Sequence, residues 1–175
     1  MEQKVTFGNL AKYGVLLGLV LIILSLIKIF SGDYVEQDTG LIFMLLKAGV
    51  YVFFIYCAIR YAVKYIYPYN YSFGKGVKTG LFIGIIASVF IPIYQYIEMT
   101  YIIPDVYQEQ IEMAIELMVE KGVPEETGAT FQSLFVIGAV INAFLSALFI
   151  SLLASLFISP FFKKQQITDH EQTDN

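Results

Sequence analysis

Four long apolar blocks, at about residues 10–30, 41–59, 77–97 and 131–162, dominate this chain, and charged segments separate them. At about 1.5 Å of rise per residue, a helix of about 20 residues crosses the roughly 30 Å hydrocarbon layer of a bilayer. The composition agrees with that solvent. Only 15% of residues are charged, against about 25% in soluble domains, and 57% are hydrophobic. The expected fold is all-α: an integral membrane four-helix bundle, one domain over residues 1–164, with residues 165–175 as a polar flexible tail. A cleaved signal peptide is the rival reading of the first block, but its apolar run is too long and no Ala-x-Ala site follows. It is read as a retained anchor.

Small residues predict how the helices meet. Gly76, Gly80, Gly84 and Ser88 recur every four residues at the start of the third block, so on a helix they form one smooth stripe. Each glycine inside a helix costs about 1 kcal/mol relative to alanine, a cost that makes sense where another backbone comes very close. The fourth block carries a matching edge, Ala139, Ala143, Ala147, Ser151, Ser155 and Ser159, with Gly138, Asn142 and Ser146 beside it. Gly14 and Gly18 make a shorter pair on the first block. The third and fourth spans are expected to pack together through these edges, or to pack against copies in a homo-oligomer.

Polar groups inside the apolar blocks are few. Lys47 stands six residues inside the second block, about 9 Å along the helix. It can snorkel to the surface or pair with Glu98, which belongs near the same membrane face. Asn142 should lie near mid-membrane, where its amide needs an interhelical partner or meets a substrate. Pro92 removes the hydrogen bond to the Ser88 carbonyl and predicts a kink, either static or a hinge. Between the second and third blocks lie Arg60, Lys64, Lys75 and Lys78 with Tyr61, Tyr65, Tyr67, Tyr69 and Tyr71 and no carboxylate. Such a segment suits membrane lipid at a headgroup surface, and four cations flanking spans are weak support for nucleic acid. Pro68 should stop the second helix and Ser72 cap the third.

The polar stretch from Glu98 to Thr130 contains its own helix. Pro104, then Asp105 as N-cap with Gln108 three residues on, open it, and Lys121, Gly122 and Pro124 close it. Tyr107, Ile111, Ala114, Ile115 and Met118 share one face, and Glu109, Glu112, Glu116 and Glu120 the opposite one. Carboxylates on the outside of one helix do not converge on an ion, so the acidic face reads as solvated and no metal site is expected. Counting Lys and Arg near span ends puts Lys4, Lys12, Arg60, Lys64, Lys75, Lys78, Lys163 and Lys164 on one side and Lys28 and Lys121 on the other. The positive-inside rule then makes both termini cytoplasmic and the acidic helix external.

Catalytic motifs are missing. Nucleophile elbows, zinc-ligand clusters, phosphate loops and dinucleotide fingerprints do not occur. Glu125 and Glu126 share the paired glutamates of intramembrane glutamic proteases, but Thr130 stands where that motif has arginine. Cys57 is the lone cysteine, and the lone histidine, His170, lies in the tail. No catalytic residue and no cofactor is expected. Phe73-Gly-Lys-Gly-Val-Lys-Thr-Gly80, Tyr101-Ile-Ile-Pro-Asp105 and the acidic helix running to Lys121-Gly122 together resemble a family of uncharacterised small bacterial membrane proteins, a domain of unknown function. The resemblance covers nearly the whole chain and implies a four-span inner-membrane protein. Two functions follow: a non-enzymatic scaffold or accessory subunit with a membrane-protein partner, or a small transporter or channel component using Lys47, Glu98, Pro92 and Asn142.

Overall fold

A computed structural model describes residues 7–31, 37–124 and 127–173, with no strand among them. The helices are α1 (Phe7–Phe30), α2 (Gln37–Tyr65), α3 (Phe73–Ile97), α4 (Pro104–Glu120) and α5 (Gly128–Thr173), and a π-helical turn, Glu98–Ile102, extends α3. Four stretches, Gly8–Phe30, Leu41–Tyr65, Phe73–Ile102 and Thr130–Phe162, are long and apolar enough to cross a membrane. The chain is a multi-pass membrane protein. Lys4, Asp33, Glu36, Glu125 and Glu126 lie outside the described residues, as do the side chains of Lys163, Lys164 and His170.

The four spans form a square bundle in which α3 packs on α5 and α1, and α2 packs on α1 and α5 while crossing α3. The closest approach is between α3 and α5. A methyl group at Gly84 would stand 2.5 Å from Ser151 Cβ, and one at Gly80 would stand 2.8 Å from Ser155 Oγ; one at Gly76 would collide with Ser159. Each four-residue step forward on α3 is therefore met by a four-residue step backward on α5, an antiparallel seam of glycine against serine. Two of the three seam serines satisfy their hydroxyls on their own helix, while the buried Ser159 Oγ has no hydrogen-bond partner among the described residues. Ser151 Oγ donates to the Ala147 carbonyl at 2.8 Å and Ser155 Oγ to the Ser151 carbonyl at 2.8 Å, the back-bonding that apolar surroundings favour.

On its other face α3 presents bulk to glycine. Ile83 and Ile86 fill the notch at Gly14, where a methyl would lie 2.7 Å from Ile86 Cβ, and Phe90 fills that at Gly18. Leu10, Leu17, Ile55, Ile59 and Ile83 complete a core with essentially no exposed surface. That core occupies only one half of the bundle. Among the described residues, every buried position on α1 precedes Ile22, every one on α2 follows Val50, and every one on α5 follows Ser146. All of these lie towards the end where α1 and α3 begin, here called the base.

The base carries the basic and aromatic residues. Tyr61 packs on Tyr65 with centroids 4.9 Å apart and the rings tilted by 42°, and Lys64 and Lys75 lie over the rings of Tyr65 and Tyr67 at 5.2 and 5.0 Å. The Tyr71 hydroxyl donates to the Ser159 carbonyl at 3.1 Å, tying the loop to the seam. Burial pushes this phenol above its usual range, which keeps it protonated as the donor.

Helix ends depart from the sequence reading in three places. Asp105 is not the N-cap of α4: Ile103 takes that position, Pro104 opens the helix and Asp105 lies in its first turn. A proline at the first helical position loses no bond, because its missing N–H would be an orphan there. Ser72 does occupy the N-cap of α3, yet its side chain makes no capping hydrogen bond. Finally, helical backbone continues to Thr173, through most of the segment read as a flexible tail. The close of α4 follows its punctuation, with Gly122 at φ +86° and the Val123 N–H donating to the Met118 carbonyl at 3.0 Å.

The seam makes a specific prediction. Gly80→Ala should destabilise the protein by about 1–3 kcal/mol through overpacking, whereas Gly138→Ala, with open space around it, should be neutral or stabilise by up to about 1 kcal/mol. Adding Ser155→Gly to the Gly80 variant should recover most of the loss. Unfolding in mixed micelles measures all three, and equal effects at Gly80 and Gly138 would contradict the seam.

Candidate functional site

Away from the base, the four spans enclose space instead of packing. A cavity of about 580 Å³ lies between them, lined mainly by apolar groups such as Leu21, Met44, Ile91 and Ile150. Ser25, Lys47, Tyr51, Tyr94, Gln95, Asn142 and Ser146 bring polar atoms to the same walls. Ala147, opposite the buried Ser88 in the seam register, also lines this cavity, so the inner end of the space abuts close-packed protein.

A second, more polar cavity of about 260 Å³ adjoins it beneath α4, lined by Lys28, Lys47, Gln95, Glu98, Tyr107 and Gln110 among others. Ser25, Lys47 and Gln95 line both cavities. Polar groups therefore occur in both spaces, from Gln110 at the α4 end of the bundle to Asn142 further in.

The amphipathic face of α4 positions the roof of this second space. Ile111 is buried, and Tyr107, Ala114, Ile115 and Met118 are half-buried, while Glu109, Glu112, Glu116 and Glu120 face outward. The Tyr107 hydroxyl donates to Glu98 Oε1 at 3.2 Å and accepts from Gln95 Nε2 at 3.5 Å. On the other side, Gln132 Nε2 donates to Gln108 Oε1 at 3.0 Å, which ties α4 to α5. Just before α4, the Ile103 N–H donates to the Glu98 carbonyl at 3.0 Å, closing the π-helical turn. That turn begins at Glu98 and ends the long third span two residues before Pro104, which cannot donate to a continuing helix.

The residues singled out from the sequence fall into two groups. Gly76, Gly80, Gly84, Ser88, Ala147 and Ser151 stand in or beside the seam, whereas Ala139 and Ala143 line the larger cavity. Lys47 and Glu98 line the same 260 Å³ space, but no direct ion pair joins them. Asn142 is exposed on the cavity wall, where it hydrogen-bonds to no other described residue. Pro92 is buried, and α3 runs through it without ending. Ser25, Tyr51 and Gln95 belong to the site and were not singled out, and Tyr107 was placed only on the apolar face of α4. Their only signal in the sequence is polarity within or beside an apolar block.

The model of a family described as Protein of unknown function (DUF4199) matches residues 12–164. The chain belongs to this family. No curated protein and no solved structure is similar to it. The matched stretch contains all the residues named above as lining the two cavities, together with the glycine and serine seam, so the site lies within the family's shared extent.

The clasp between α3 and α4 is testable. Tyr107→Phe removes the donor to Glu98 and should accelerate amide exchange across Pro104–Glu120 about tenfold, the equivalent of about 1.4 kcal/mol. Unchanged exchange would mean that apolar contacts alone hold α4 in place.

Proposed function

We propose that this protein is a non-enzymatic accessory subunit or scaffold of the bacterial inner membrane, with both termini cytoplasmic and α4 outside. The observation that carries this reading is the one-sided core. The close-packed base backs the cavity, so the bundle encloses a recess and not a passage. A recess suits a part that is held, or that holds something, better than a pore. The glycine and serine stripes serve contacts within the chain, so a partner protein would meet other surfaces. The outward carboxylates of α4 and the apolar flanks facing the bilayer, including Phe149 and Phe157 on α5, supply those surfaces.

A transporter has one observation in its favour, the polar groups that line both cavities, among them Gln110, Lys47 and Asn142. To carry a solute onward, this bundle would have to open the glycine-on-serine seam, whose inner end is at Gly84 and Ser151. Purification in nanodiscs from the native membrane, followed by native mass spectrometry, separates the two. A stoichiometric second protein is expected; the chain alone, with solute flux in proteoliposomes, would overturn the accessory role.

Orientation is tested independently. With Cys57 replaced by alanine, Glu116→Cys should label with a membrane-impermeant maleimide on intact cells, and Lys75→Cys should label only after permeabilisation. The reverse pattern would invert the topology.

A further inference from the structure

We propose that the paired cavities form a binding site for one anionic phospholipid, entered sideways from the bilayer. The two spaces share Ser25, Lys47 and Gln95 in their walls, and they differ in character: the inner, larger one is mostly apolar and the outer one mostly polar. An apolar space set beside a polar one has the pattern of an amphiphile. At about 580 Å³ the inner cavity falls in the size range of small-ligand sites, room for one acyl chain while a second stays in the bilayer.

Charge selects the headgroup. Lys28 and Lys47 both line the outer cavity, and the one carboxylate among the described residues that line it, Glu98, accepts a hydrogen bond from Tyr107. Two ammonium groups against one carboxylate leave a net positive site at the depth of the headgroups and just below, where an anionic phosphate is held by charge-assisted hydrogen bonds. The entrance lies between α2 and α5. Met44 and Ala48 on one side and Asn142 on the other line the cavity and are exposed, and all three positions lie within helices long and apolar enough to cross a membrane. A lipid can reach the site there without leaving the membrane.

The test is a lipid competition on the full chain. Protein in detergent is equilibrated with equal amounts of phosphatidylglycerol and phosphatidylcholine of matched chains, and retained lipid is counted by native mass spectrometry. One phosphatidylglycerol should remain per chain. Lys47→Met should cut that preference about tenfold or more, and Lys47→Arg should keep it. Lys78→Gln, a charge change at the base, should leave it unaltered. Ala143→Phe should exclude the lipid while Lys47 is intact, so the site can be closed by volume as well as by charge; a melting temperature confirms that each variant is folded. Glycerol phosphate, the headgroup without chains, should not displace the lipid, and displacement would make the ligand a soluble anion. Equal retention of the neutral lipid, or equal losses from Lys47→Met and Lys78→Gln, would overturn the proposal.

Discussion

The glycine-on-serine seam between α3 and α5 is the contact on which the rest of the bundle depends. Inside a bilayer the hydrophobic effect does little to hold helices together, because lipid tails are as apolar as leucine, so association rests on how closely backbones approach. Three glycines a turn apart let α5 lie against α3, and two of the three serines that fill the space, Ser151 and Ser155, bond their hydroxyls to their own helix. Because α3 also receives α1 at Gly14 and Gly18, it is the central post of the base. Its residues from Gly76 to Pro92 hold the bundle together, and its extension beyond Ile97 leads into α4, which roofs the outer cavity.

This division explains the form of the molecule. Small residues run along α3 only as far as Ser88; after that come Phe90, Ile93, Tyr94 and Tyr96, which are too bulky for the same approach. Ala139 and Ala143 continue the small edge of α5 with no glycine opposite, and they line the cavity instead. A packing surface exhausted half-way across the membrane leaves the other half open. Into that half the chain places its one lysine well inside a span, with Gln95 and Asn142.

Much of the fold was legible in the sequence because it rests on periodicities. Block lengths mark the spans, the four-residue spacing marks the α3 and α5 edges, and Pro104, Gly122 and Pro124 bracket α4. The cavity was not legible, since a void is a property of several helices at once and no single residue announces it. Lys47 and Asn142 stood out as costly intramembrane groups, but Gln95 and Ser25 had no such cost to mark them. The π-helical turn was hidden for a related reason: only Pro104 hints that α3 must end, and nothing local says that it will first widen at Glu98. The N-cap of α4 was misplaced because an aspartate after proline satisfies the capping pattern as well as Ile103 satisfies the geometry.

The most direct measurement is cross-linking across the seam. In a Cys57→Ala background, the pair Gly84→Cys and Ser151→Cys places sulfurs on backbones whose β-carbons would stand 2.5 Å apart, so a slight separation brings them to the roughly 3.5–4.5 Å of a disulfide. Oxidation in native membranes should yield a monomer of altered gel mobility that reverts on reduction. A disulfide-linked dimer in its place would mean that the stripes join two copies, and the base as described here would be wrong.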